Sequence, residues 1–206
     1  MTSASLFKNA TDADIAAWVR ARLQDALSTT DGAIAISVPG GSSPFPIFEE
    51  LAKSDLDWSR IEVWPGDDRL VPEDHAASNV GKIRAILEPA GALIVPLTED
   101  AEPPHFALTW LGMGTDGHIA SLFPNADPQA DDPQTVRRLT PDPLPPEAPF
   151  DRVTLTIPAL LDSDALMFLV RGEDKRAVFN AAVAGEHDLP VARLLRAANQ
   201  QVTCFT

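Results

Sequence analysis

The stretch Leu111-Gly-Met-Gly-Thr-Asp-Gly-His-Ile-Ala-Ser-Leu-Phe-Pro124 decides which fold this chain should adopt. The apolar run 106–111 that leads into it is typical of a buried strand. Glycines 112, 114 and 117 allow the backbone to turn sharply and to approach a ligand closely. Asp116 and His118 lie among them. This placement indicates chemistry at the carboxyl end of a strand, although an ordinary strand-to-helix turn with an incidental histidine has the same letters.

Segments of strand and helix character alternate through the rest of the sequence. Apolar, β-prone runs predict strands at residues 33–38, 61–64, 92–95, 106–111, 153–157, 165–170 and 202–205. Helical patterns cover residues 11–28, 44–53, 79–87, 175–184 and 191–198. This order predicts an α/β fold, an open and mostly parallel sheet with helices on both faces, formed by residues 1–206 as a single domain.

Composition excludes several classes of function. The net charge of −14 argues against nucleic-acid binding, which needs a basic surface. No run reaches the roughly 18 apolar residues of a membrane span, and the first ten residues lack the apolar core of a signal peptide. Cys204 is the single cysteine, so no intrachain disulfide can form, which fits a cytoplasmic protein. No metal site is expected, because the four histidines have no ligand spacing and Cys204 has no cysteine partner.

Three further segments after strands carry candidate anion donors. Gly40, Gly41, Ser42 and Ser43 precede a helix that starts near Pro44, so they suit either an anion site or a simple serine cap. Arg69 follows two acidic residues, so its guanidinium can either bind a phosphate through two parallel hydrogen bonds or form a surface ion pair. Lys175 opens a helix, where the helix dipole disfavours a cation unless an anion is bound.

Together these segments resemble the 6-phosphogluconolactonase family of the glucosamine/galactosamine-6-phosphate isomerase superfamily. The motifs occur in the family's order: GGSSP at 40–44, WPGDDRLVP at 64–72 followed by Ser78-Asn79, the opening stretch at 111–124, RVTLTIP at 152–158, and GEDK at 172–175. The resemblance runs from about residue 33 to the end. It implies a Rossmann-like fold of the glucosamine-6-phosphate deaminase type.

The resemblance also implies an activity and a set of site residues. The expected reaction is hydrolysis of 6-phospho-D-glucono-1,5-lactone in the oxidative pentose phosphate pathway, with no cofactor or metal. His118 corresponds to the proposed catalytic histidine, and we expect Asp116 to orient it. The sugar-phosphate site corresponds to Gly40, Gly41, Ser42, Ser43, Arg69 and Lys175. The expected partner is the small-molecule lactone, with no nucleic acid or membrane, and the chain is expected to be a monomer or a homodimer.

Two other functions stay open at this level. A sugar-phosphate isomerase or deaminase would need a carboxylate base, for which Asp67 or Asp68 would serve, but ASLFP after the histidine favours the lactonase. A non-catalytic sugar-phosphate-binding domain is the second alternative.

The sequence also departs from the family in one connection. Family members usually carry a helix where residues 96–105 form a short segment with Pro103 and Pro104, which oppose a helix. Nine of the 19 prolines lie between residues 124 and 158, which predicts a long surface loop there.

Overall fold

The structure, a computed structural model, describes residues 4–146 and 148–206. In chain order its strands and helices are β1 (Ala4–Phe7), α1 (Asp12–Ser28), β2 (Ile34–Val38), α2 (Phe45–Ala52), β3 (Ile61–Pro65), β4 (Asp67–Arg69), α3 (Asn79–Leu87), β5 (Leu93–Ile94), β6 (Phe106–Leu111), β7 (Val136–Leu139), β8 (Arg152–Leu155), α4 (Ile157–Leu161), β9 (Ala165–Leu169), α5 (Glu173–Ala184), α6 (Pro190–Ala197) and β10 (Gln201–Phe205).

Seven strands form one parallel sheet in the order β1-β10-β9-β6-β2-β3-β5. After β2, the strands β3 and β5 are added on one side of it. The chain then crosses to the other side of β2, where β6, β9 and β10 are added in turn. The order therefore reverses between β2 and β6, and the carboxyl ends of strands at such a switch point border a crevice that binds ligands. The predicted parallel α/β sheet is confirmed.

Helices cover both faces because side chains along each strand alternate between two cores. Ile34 and Ile36 of β2 pack with apolar residues of α1, α2 and α3, whereas Ala35 points into a core that contains residues of α4, α5 and α6. Fully burying a large apolar side chain contributes roughly 1.5–3 kcal/mol, so these two cores hold the helices against the sheet.

A second, antiparallel sheet corrects two predictions. The strand predicted at 153–157 is β8, which pairs with β4 and β7 rather than joining the parallel sheet, and Ile157 already begins α4. The segment 124–158 is therefore not one long loop, since it contains β7 and β8. Neither β4 nor β7 shows an apolar alternation: β4 reads Asp-Asp-Arg, and the two arginines of β7 are exposed. The sequence pattern did not predict β1, because a strand of four residues is too short to show a clear alternation.

Local interactions define several helix ends. Thr11 and Asp14 form a capping box at the start of α1. Gly185 ends α5 in a left-handed conformation with φ of 75°. The connection between β5 and β6 contains no helix, and its Leu97 packs into the second core. Among the helices in the described residues, none is both long enough and apolar enough to cross a membrane.

Candidate active site

All four segments singled out in the sequence border one cavity of about 290 Å³ at the switch point between β2 and β6. The turn after β2 and the glycine-rich stretch after β6 form its two sides. Arg69 at the end of β4 and Lys175 in the first turn of α5 complete the lining. Of the predicted site residues, only Asp116 is absent from the lining, and it is hydrogen-bonded to His118, which is present.

The turn before α2 presents polar groups that the protein itself does not use. Helix α2 is capped by Pro44 without a side-chain hydrogen bond, so the serines are not its caps. Within the described residues, the hydroxyls of Ser42 and Ser43 and the N–H groups of Gly41, Ser42 and Ser43 have no hydrogen-bond partner. Free donors beside the positive end of a helix dipole are the arrangement that binds anions.

Arg69 is fixed in the cavity by hydrogen bonds rather than by an ion pair. Its Nη1 donates to the carbonyl oxygen of Ala77 at 2.8 Å and to Oδ1 of Asn79 at 2.9 Å. Asn79 in turn donates through Nδ2 to the carbonyl oxygen of Asp67 at 2.8 Å. Because no carboxylate of the described chain forms an ion pair with Arg69, its charge stays available for an anionic ligand.

Asp68 fixes the positions of Arg69 and Asn79 by binding their backbone N–H groups at the start of α3. The buried carboxylate accepts hydrogen bonds from the N–H groups of Asn79 at 2.6 Å and Val80 at 2.9 Å, and from that of Arg69 at 2.7 Å. A carboxylate at a helix N-terminus is favoured by the free N–H groups and the dipole. Ser78 is the N-cap of α3, since its side chain accepts a hydrogen bond from the N–H of Gly81.

The ring of His118 is oriented by a hydrogen bond to Asp116. Oδ1 of Asp116 lies 2.7 Å from Nδ1 of His118 and also accepts from the His118 N–H at 3.2 Å. The ring packs on Phe123 with centroids 4.9 Å apart. Nε2 has no hydrogen-bond partner in the described chain, so it is free to act on a ligand or water. The next helical turn in the described chain, Pro124–Ala126, is capped by Phe123, so Asp116 is not a helix cap.

Glycine is required at position 114 by the closeness of this pair. A Cβ on Gly114 would lie 2.2 Å from Nδ1 of His118 and 2.5 Å from Oδ1 of Asp116. The same stretch holds Ala120, which lines the cavity and has a φ of 48°. Left-handed backbone at a residue other than glycine is uncommon and concentrates at functional sites.

Asp67, which the sequence suggests only as a base for the isomerase alternative, lines the cavity. Its Oδ2 accepts a 2.5 Å hydrogen bond from the buried hydroxyl of Ser121. Burial raises the pKa of the Asp67 carboxyl, while Ser121, Arg69 and His118 act in the opposite direction. Ser121 belongs to the opening stretch but lies 54 residues from Asp67, so no local pattern could have linked them.

The cavity combines free anion donors with a histidine–aspartate pair at the switch point of a parallel sheet. In an α/β protein, such a cavity is suited to acid–base chemistry on an anionic ligand. Within the described residues, no cluster of histidine, cysteine, aspartate and glutamate has the arrangement of a metal site.

Comparison with known proteins gives the family. Residues 8–98 and 90–204 match the model of the family described as glucosamine-6-phosphate isomerases/6-phosphogluconolactonase. A 6-phosphogluconolactonase of Pseudomonas aeruginosa is 39% identical over 207 residues, covering 89% of this chain and 86% of the relative. One from Neisseria meningitidis serogroup A is 34% identical over 225 residues, covering 96% and 95%. The chain therefore belongs to this family.

Solved structures agree with the fold. The crystal structure of 6-phosphogluconolactonase from Thermotoga maritima superposes with a TM-score of 0.83 at 23% identity, covering 98% of this chain and 99% of that one. A putative 6-phosphogluconolactonase from Neisseria gonorrhoeae gives a TM-score of 0.81 at 28% identity, with 98% of both chains covered.

Proposed function

We propose that this chain hydrolyses 6-phospho-D-glucono-1,5-lactone to 6-phosphogluconate. The observation that carries the proposal is the position of His118: its Nδ1 is held by Asp116, and its Nε2 is free in a cavity that also holds unpaired anion donors. The names of the relatives agree with this substrate.

The phosphate group would bind at Gly40, Gly41, Ser42 and Ser43, with Arg69 and Lys175 supplying positive charge. Backbone and hydroxyl donors at a helix N-terminus suit a phosphate, and arginine suits it further because its planar fork can donate two parallel hydrogen bonds. Placing the phosphate here leaves the sugar ring to extend toward the glycine-rich stretch and His118, since both sides line the same cavity.

In the proposed reaction, Nε2 of His118 accepts a proton from a water molecule as the water oxygen attacks the lactone carbonyl carbon. The carbonyl oxygen becomes an oxyanion, and the bond from carbon to the ring oxygen then breaks. The imidazolium returns its proton to that departing oxygen. General acid–base catalysis of this kind contributes roughly 10²–10⁴-fold. Asp116 would fix the ring and stabilise the imidazolium.

The oxyanion needs donors that are free to receive it. The N–H of Gly114 is already bonded to the carbonyl oxygen of His118 at 2.9 Å. In the described chain, the N–H groups of Gly112 and Met113 have no acceptor, and both residues line the cavity. We assign them as the oxyanion donors, a role that backbone amides fill well because they are already oriented.

The test uses lactone generated enzymatically and follows its disappearance against the spontaneous rate, with and without a chelator. We expect acceleration by the wild-type protein that a chelator does not change, and a loss of roughly 10²–10⁴-fold in His118→Ala. His105→Ala is the matched control, because His105 precedes β6 at the opposite edge of the sheet. Near-normal turnover by His118→Ala would rule out the mechanism, and binding of 6-phosphogluconate without turnover would indicate a binding domain.

A specific observation also supports an isomerase or deaminase as the second candidate. Asp67 places a carboxyl with a raised pKa in the same cavity as His118, and that chemistry needs a carboxylate base. Release of ammonia from glucosamine 6-phosphate by the wild-type protein would establish it, and its absence alongside lactone hydrolysis would exclude it.

The proposal also covers the cellular location and the domain organisation of the enzyme. We place it in the cytoplasm, because its one cysteine is buried and cannot form an intrachain disulfide. We treat residues 1–206 as one domain, because the parallel sheet and β4 of the antiparallel sheet both contribute to the cavity.

A further inference from the structure

Positive charge is distributed unevenly between the surface and the cavity. Of the 16 lysines and arginines, nine form ion pairs with carboxylates of the described chain. The seven that do not are Lys8, Arg22, Arg60, Arg69, Lys82, Arg152 and Lys175. Arg69 and Lys175 line the cavity, and the charge of Arg69 acts on both Lys82 and Arg152. In a chain with a net charge of −14, this is a local excess of unpaired cations.

Lys82 is the member of this group that no described residue explains. Arg152 donates to the carbonyl oxygens of Phe150 and Ala148. Arg69 is held by Ala77 and Asn79. Lys82 is half-buried, yet within the described chain its ammonium group has neither a hydrogen bond nor an ion pair.

The geometry of α3 puts Lys82 beside the anion turn. Lys82 follows Asn79 by three residues, so the two side chains share a face of the helix. The Asn79 side chain lies against Gly40, since a Cβ added there would be 1.9 Å from its Cγ. Lys82 therefore lies one turn further along the face that looks toward the turn before α2.

An unpaired lysine in this position is electrostatically unfavourable without a ligand. Burial and then the charge of Arg69 lower the pKa of Lys82, while the charge of Asp68 acts in the other direction. A bound dianion would reverse this balance for all of these groups together.

We propose that Lys82 is a specificity residue for the phosphate group: it does not line the cavity, but its charge strengthens binding of a dianion at the Gly40–Ser43 turn and Arg69 over binding of an unphosphorylated sugar acid. The inference rests on the proposed function for the identity of the ligand. Its effect acts through the electric field rather than through contact, so it depends on charge and on salt but only weakly on side-chain shape.

The experiment measures binding of 6-phosphogluconate and of gluconate by calorimetry, at low and high ionic strength. The variants are Lys82→Met, which removes the charge, and Lys82→Arg, which keeps it. Lys53→Met is the matched control: it makes the same charge change at the C-terminal end of α2, roughly 12 Å of helix away from the anion turn.

We expect Lys82→Met to bind 6-phosphogluconate about 3- to 10-fold more weakly at low salt, a difference that shrinks as salt rises. Gluconate carries one negative charge and no phosphate, so its binding should weaken by a clearly smaller factor, and Lys82→Arg and Lys53→Met should stay within about twofold of wild type. Three results would overturn the inference. Lys82→Met could lose equal affinity for both ligands, its loss could be the same at low and high ionic strength, or the wild-type protein could fail to bind 6-phosphogluconate. Because the readout is binding, a Lys82 effect in a protein that hydrolyses no lactone would support this inference while refuting the proposed activity.

Discussion

Gly40 is the residue whose substitution tests the site's construction most directly. An added Cβ would lie 1.9, 2.3 and 2.4 Å from Cγ, Oδ1 and Cβ of Asn79. Asn79 cannot simply rotate away, because its amide joins the carbonyl oxygen of Asp67 to the guanidinium of Arg69 and its backbone is bound by Asp68. Gly40→Ala must therefore move the start of α3 or break the hydrogen bond to Arg69.

The magnitude follows from these contacts. Overpacking of a tight site costs about 1–3 kcal/mol, and loss of one net hydrogen bond adds about 1 kcal/mol. We expect Gly40→Ala to lower the free energy of unfolding by about 2–4 kcal/mol. For a chain of this size that is a decrease in Tm of roughly 5–15 °C. Since Arg69 moves with Asn79, kcat/KM for the lactone should fall by up to roughly 10²-fold.

The adjacent Gly41 supplies the control for this prediction. A Cβ on Gly41 would meet no atom within 4 Å, so Gly41→Ala should change the free energy of unfolding by less than about 0.5 kcal/mol. In Gly40→Ala combined with Asn79→Gly the clashing atoms are gone, so the pair should destabilise less than the sum of the two single changes. Equal Tm values for Gly40→Ala and Gly41→Ala, measured by calorimetry, would refute the reasoning.

Three further predictions follow from single side chains. Asp116→Asn keeps an oxygen that can accept from Nδ1 of His118 but removes the negative charge, so kcat should fall roughly 10–100-fold with little change in Tm. Burial raises the pKa of Asp67, so its carboxyl binds a proton more tightly in the folded chain, and stability is lost as pH rises through that pKa. Asp67→Asn should therefore raise Tm near neutral pH, lose this gain at acid pH and reduce activity; unchanged Tm across the range would contradict the burial argument. Hydrogen bonds to two carboxylates raise the pKa of His105, so its contribution is full below the unfolded pKa and is lost as pH rises through the folded one. His105→Gln should accordingly lower Tm more at about pH 5 than at about pH 9, and an equal decrease at both would contradict it.

The net charge of the chain and the sign of its ligand are compatible because charge acts locally. Screening at physiological salt reduces interactions between exposed charges beyond about 8 Å, so distant acids oppose a bound anion only weakly. Many of these acids are also paired: Asp188, for example, bridges Arg193 and Arg196 on the surface. At the cavity, Arg69 and Lys175 form no ion pair with a carboxylate of the described chain, so their charge is available to an anionic ligand.

The sequence by itself determined the elements whose signals are local. The apolar runs that became β2, β6 and β9 identified the parallel sheet, because strands buried on both faces must be apolar at successive positions. Turn chemistry after those strands identified the glycine-rich stretch and the turn before α2. The sequence placed Asp116 and His118 in one turn but could not decide whether Asp116 orients the histidine or caps a helix, and the hydrogen bond between their side chains settles that choice.

Tertiary structure alone decided the features that join distant parts of the chain. The antiparallel sheet depends on pairing of β8 with two short strands, β4 and β7, whose own sequences carry no strand pattern, and paired residues of β4 and β8 are up to 87 positions apart. The hydrogen bond from Ser121 to Asp67 and the raised pKa of Asp67 arise from burial at their meeting point. The unpaired charge of Lys82 beside Arg69 has the same origin. Burial and long-range contact are properties of the folded chain, so no local pattern of residues could specify them.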